Sequence, residues 1–172
     1  GPHLTMMMAD HGAAVIKVEP YDGGEPVRNL GLRKAGHSVW FRNTHRGKKS
    51  LRLNLKHPDG KEILLRLAEK SDVLVEGFRP CVMDRLGVGY AHVAPRAPQL
   101  VYCSISAFGQ TGRYRDKPAH DMAVEALAGV LGLNLGADGR PVNPGVPAGD
   151  MGASLMALSG ILMALLKQRQ TG

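Results

Sequence analysis

The chain is poor in the residues that staple or clad small folds. Its 172 residues include only two cysteines, and aromatic residues make up 5%. Cys81 and Cys103 are too few for a disulfide framework or a cysteine metal cluster. A reducing, cytoplasmic compartment is therefore the expected setting. The scarcity of aromatics, beside abundant glycine and small aliphatics, suits α/β packing better than a β-sandwich. No GxGxxG, P-loop, GxSxG or HExxH pattern is present, which removes the simplest dinucleotide, phosphohydrolase, serine-hydrolase and zinc-protease readings. His11, His37, His45, His57 and His92 show no metal-ligand spacing with one another, so no metal is expected. The longest apolar run, Met151 to Leu166, carries two glycines and two serines. It is shorter than the roughly 20 residues that cross a bilayer, and no membrane partner is expected. No signal peptide is visible.

Negative charge is also absent where positive charge collects. Between Arg42 and Lys56 there are six Lys or Arg and no Asp or Glu, and the whole chain carries +7. Such a run attracts phosphates. No aromatics interleave with it and no nucleic-acid-binding signature accompanies it, so a small polyanionic ligand is expected rather than nucleic acid.

Hydrophobic content of 44% and charged content of 22% describe one globular domain over residues 1–172. The patterning predicts a short helix at Leu4–Ala9 and strands at Ala14–Glu19 and Ser50–Leu55. Residues 21–46 read as an irregular binding loop. An amphipathic helix follows over Pro58–Lys70, with Ile63, Leu64, Leu67 and Ala68 as its stripe. Strands at Asp72–Glu76 and Leu100–Ile105 flank a short helix at Val82–Leu86. Helices at Asp121–Leu133 and Met151–Gln168 close the chain. Strands alternating with helices predict a parallel sheet with crossover helices, and ligands in such sheets bind at the carboxyl ends of strands. Trp40 and the Met6–Met8 cluster are expected in the core.

Two residues stand out as proton-handling candidates. Asp150 is flanked by Gly149 and by Gly152–Ala153, so nothing bulky beside it blocks a substrate. It opens an apolar helical run, where anions are favoured. His120 precedes Asp121 at the start of another helix. An N-cap alone would account for each aspartate on spacing.

Several segments in order go further: residues 8–20, Arg46–Ser50, Asn54–Lys56, Val75–Pro80, Asp84–Tyr90 and Phe108–Gly112. Together they resemble the family III coenzyme A transferases (CaiB/BaiF and formyl-CoA transferase-like proteins), a group that also contains the 2-methylacyl-CoA racemases. The resemblance implies a Rossmann-like large domain, of which this chain is the N-terminal part, and an interlocked homodimer. It implies acyl-CoA and a small carboxylic acid as substrates, with no metal. Position by position, it implies that Arg28, Leu53, Lys56, Phe78, Arg79 and Arg85 contact CoA. Asp150 falls at the catalytic aspartate, with His120 and Asp121 beside it. In a transferase Asp150 would attack the thioester. In a racemase His120 and Asp150 would be the acid/base pair on the two faces of the α-carbon. His120 leans toward the racemases, whereas the 107–112 loop and Arg46–Ser50 read as transferase. Transferase is the expectation, with racemase or a non-catalytic CoA-binding unit as alternatives.

Overall fold

The computed structural model describes residues 1–171. Helix α1 (Pro2–Asp10) leads into strand β1 (Val15–Pro20), then a 3-10 turn at Pro26–Asn29. A hairpin of β2 (Arg33–Lys34) and β3 (His37–Ser38) precedes α2 (Val39–Thr44) and β4 (Lys48–Leu53). Helix α3 (Pro58–Ala68), β5 (Val73–Glu76), α4 (Val82–Arg85), α5 (Tyr90–Val93) and β6 (Val101–Ser104) follow. The chain closes with α6 (Asp121–Leu127), α7 (Val130–Leu133) and α8 (Ala148–Thr171).

The α/β class and the parallel pairing hold. β1 pairs with β4 from Val15–Lys48 to Pro20–Leu53, and β5 pairs with β6 from Val73–Val101 to Glu76–Ser104, both in parallel. The strands form these two pairs instead of one continuous sheet. Helix α3 serves both. His57 accepts the Asp59 N–H at its start and Pro58 fills the first turn, where its missing N–H costs nothing. Leu64 packs with Leu53, Met83 and Val88, while Ala68 packs with Val93 and Ala97. The partly buried Leu65 and Leu74 touch both clusters. The buried stripe is Gly60, Leu64 and Ala68, a strict four-residue spacing, and Ile63 is exposed instead. Gly60 explains the shift: a Cβ there would collide with the Asn54 carbonyl, so the helix backbone itself is the contact surface.

The loop expected over residues 21–46 is largely ordered by polar side chains. Ser38 caps α2 by accepting the Phe41 N–H at 3.1 Å and donates to the Leu30 carbonyl at 2.7 Å. Alternation is missing over so short a helix, which hides it from periodicity. Trp40 is 52% exposed, not a core residue. The helix expected over 121–133 breaks in two at Gly129, whose φ of 82° is open to glycine but strained for other residues. Helix α8 starts three residues earlier than expected and runs 24 residues. That corrects the reading of this run as too short: by length and composition α8 could cross a bilayer. Within the chain only Ser154 and Ile161 of α8 are buried, although it packs on α1, α6 and β6.

Candidate functional site

Asp150 sits in the first turn of α8 and is exposed. It is not the cap of its own helix. That role falls to α6. Asp121 Oδ1 accepts the Asp150 N–H at 2.9 Å, and Glu125 Oε1 accepts the Ala148 N–H at 2.8 Å. Asp121 and Glu125 are four residues apart, so both project from one face of α6. Two carboxylates thus occupy the positive end of α8, where they are favoured. Gly149 lies against this contact: a Cβ there would sit 3.0 Å from Asp121 Oδ1. The Asp150 side chain is left without a hydrogen bond among the described residues, and its carbonyl accepts from Ser154 Oγ at 2.8 Å.

At the start of α8 the Gly149 N–H is the one first-turn donor without a partner among the described residues. The Ala148 and Asp150 N–H groups are taken by α6, and the Met151 N–H bonds to the Pro147 carbonyl at 2.9 Å. Helix α1 also packs on α8. His120 occupies the N-cap position of α6, is exposed, and makes no side-chain capping bond. The structure therefore brings Asp121 and Asp150 into direct contact and places His120 at the head of the same helix.

The expected CoA contacts divide into two groups. Leu53 lines a cleft of about 340 Å³ with Tyr21, Arg52, Asn54 and His57, at the carboxyl end of β4. Lys56 is exposed beside it, its N–H held by Asn54 Oδ1 at 3.0 Å. Arg79 lines a second cleft of about 270 Å³ with Glu76, Cys81, Ser104 and Gln110, at the carboxyl ends of β5 and β6. Ser104 Oγ donates to Glu76 Oε1 and accepts from Gln110 Nε2 at 2.7 Å. Phe78 is exposed, and its N–H binds Glu76 Oε2 at 2.7 Å. Arg85 is exposed in the last turn of α4.

Arg28 is placed differently. Its Nε and Nη2 donate to Glu19 Oε2 and Oε1 at 2.8 and 2.7 Å, and its guanidinium lies 4.1 Å over the Phe41 ring. Glu19 is 2% exposed and also accepts from the Glu25 N–H and Ser50 Oγ. Arg28 beside it, with those two donors, holds the Glu19 carboxyl down to about 2. Burial opposes ionisation at Glu25, but His45 and Lys17 outweigh it and bring that group to about 2 as well. The basic run divides likewise. Arg46 pairs with Asp10, and Lys48 Nζ donates to the Pro2 and Thr44 carbonyls and Thr5 Oγ1 at 2.7–2.8 Å. Burial pushes the Lys48 ammonium down to about 8. Arg52 is the member of the run that faces a cleft.

A pH dependence follows from Glu19. Its folded pKa lies below the ordinary 4.5, so its contribution is full above 4.5 and is lost as pH falls toward 2. At about 1.4 kcal/mol per unit, that is of the order of 3 kcal/mol. The melting temperature is expected to fall through this window, and Glu19→Gln to flatten that acid limb in a circular-dichroism pH series.

Glu125 and Glu19 are the residues that reading the sequence missed. The four-residue spacing of Asp121 and Glu125 was the available signal, but nothing in it points to a helix 23 residues away.

The profile of CoA-transferase family III matches residues 1–172. Acetyl-CoA:oxalate CoA-transferase of Acetobacter aceti is 39% identical over the whole chain, and succinyl-CoA:glutarate CoA-transferase of Mus musculus is 37% identical. The chain spans 44% and 40% of their lengths. A crystal structure of Rv3272 from Mycobacterium tuberculosis superposes with a TM-score of 0.90 at 33% identity, over 99% of this chain and 48% of that one. A CaiB/BaiF family protein from Brucella suis gives 0.91 at 31%, over 99% and 46%.

Proposed function

The chain belongs to CoA-transferase family III, and we propose that the protein carrying it moves CoA from an acyl-CoA to a carboxylic acid with Asp150 as nucleophile. The observation that carries this reading is the unengaged Asp150 carboxylate on a backbone clamped by α6. Asp150 attacks the thioester carbonyl, a C–O bond forms, and the C–S bond breaks with its electron pair leaving on the CoA thiolate. The thiolate then attacks the Asp150 carbonyl and expels the first acid, leaving an aspartyl-CoA thioester. The acceptor carboxylate reverses both steps and regenerates Asp150. No net proton is exchanged, which suits a carboxylate whose neighbours are themselves carboxylates. Covalent chemistry of this kind splits one difficult exchange into easier displacements.

CoA lies across the two clefts, with Leu53 and Lys56 at one end and Phe78, Arg79 and Arg85 at the other. Arg and Lys bind its phosphates by charge-assisted hydrogen bonds. The oxalate and glutarate transferases among its relatives support a dicarboxylic acid as acceptor. The working form is a cytoplasmic homodimer, and the exposed apolar side chains of α8, such as Met156 and Met163, are surface for the rest of the assembly.

The unbonded His120 beside Asp121 favours one second reading, α-proton exchange on a 2-methylacyl-CoA with His120 and Asp150 as the pair. One experiment separates the readings. The protein is incubated with succinyl-CoA, acetyl-CoA or 2-methylacyl-CoA in deuterated buffer, then treated with hydroxylamine. A hydroxamate at Asp150, located by peptide mass spectrometry, is the expected result. Deuterium at the α-carbon without an adduct transfers the assignment to the racemase reaction. CoA-dependent thermal stabilisation with neither leaves a CoA-binding unit.

A further inference from the structure

Glu125 is 2% exposed, and its Oε2 has no hydrogen-bond partner among the described residues. Its Oε1 makes one bond, to the Ala148 N–H. Burying a carboxylate on a single neutral donor is unfavourable by several kcal/mol, and the helix dipole offsets only part of that. An apolar side chain at this position would be better for stability alone. What the carboxylate supplies instead is a second fixed point on the first turn of α8. Asp121 holds the Asp150 N–H, and one turn further along α6 Glu125 holds the N–H two residues earlier. One such bond leaves the turn free to swivel about it. Two bonds from a single rigid face of α6 do not.

We propose that Glu125 is a positioning residue: by fixing the first turn of α8 it aims the Asp150 carboxylate at the thioester. This rests on Asp150 being the nucleophile, and it concerns a residue that touches neither substrate nor reacting atoms.

Three variants of the full-length protein test it. Glu125→Ala removes the acceptor. Glu125→Gln keeps an acceptor oxygen and the side chain's shape. Ala148→Pro removes the donor from the other side, at a first-turn position where proline fits a helix. Misplacing a reacting group by about 1 Å costs up to roughly a hundredfold in rate. Glu125→Ala and Ala148→Pro are each expected to lower kcat by about ten- to a hundredfold, with KM for acyl-CoA moved less than about twofold. Glu125→Gln is expected to restore kcat to within about threefold of wild type. The double variant Glu125→Ala/Ala148→Pro should be no slower than either single, because both delete one bond. An unchanged kcat in a folded variant, a loss carried by KM, or additive losses would overturn the proposal. If Glu125→Ala does not fold, Ala148→Pro, which leaves Glu125 in place, decides alone. Amide exchange at Asp150 is read in parallel and needs no turnover. It should be protected in wild type and Glu125→Gln and fast in the other two. Wild-type protein that forms no Asp150 adduct refutes the nucleophile reading, whereas equal protection in all variants refutes the clamp.

Discussion

Asp150→Asn is expected to abolish CoA transfer while leaving the fold intact. On the proposed covalent mechanism this substitution removes the nucleophile, which costs roughly 10⁴-fold or more in kcat. The structure explains why stability should survive. The Asp150 carboxylate is exposed and has no hydrogen bond among the described residues, while its N–H, which asparagine keeps, makes the bond to Asp121. The only stability term lost is a negative charge near a helix N-terminus, about 0.3–1 kcal/mol. CoA affinity, measured by calorimetry, should be unchanged, since the residues proposed to bind CoA lie on other elements. The hydroxamate signal should vanish with the activity. Transfer at more than a hundredth of the wild-type rate would remove Asp150 from the mechanism.

Arg28→Ala is expected to give the largest loss of stability of any exposed-looking arginine in the chain. The guanidinium supplies two of the four donors to Glu19, which is 2% exposed. Breaking a buried pair by deleting one partner leaves an uncompensated charge, typically 3–5 kcal/mol. For a domain of this size that lowers the melting temperature by roughly 10 °C. Arg28→Lys should recover little of it, because a single ammonium does not reproduce the paired N–H geometry. This outcome separates two roles for one residue. As the CoA contact that the family resemblance implies, Arg28 would, when lost, raise KM for acyl-CoA with stability kept. As the partner of Glu19, it destabilises the protein without ligand, and melting curves of the CoA-free protein read that directly.

Local structure was legible wherever apolar spacing or punctuation carried it. The four long-range strands and α3 were readable because Val, Ile and Leu alternate or repeat between Pro and Gly stops. The candidate Asp150 was readable from its small neighbours and from the ordered family segments. Residues 21–46 were not, because their order comes from Ser38, Glu19 and Arg28, polar groups bonded across 8 to 9 positions that no periodicity reports. The start of α8 was misplaced for a related reason. Pro147 and Gly149 read as loop, yet carboxylates on α6 cap the turn from outside. Trp40, expected in the core, is half exposed, while Arg28 carries a tie to the buried Glu19 that its neighbours in sequence do not announce.

The clasp between α6 and α8 also bears on how this chain can vary. It closes the loop that runs from Asn134 to Pro147, a segment rich in Gly and Pro. The entropy of closing a flexible loop grows only with the logarithm of its length, so doubling it costs about 0.6 kcal/mol. Insertions and deletions there leave both clasp bonds in place and barely move the folding equilibrium. The orientation of Asp150 and the length of the loop are thereby uncoupled. Descendants of this sequence can lengthen or reshape the loop freely while Asp150 keeps its place.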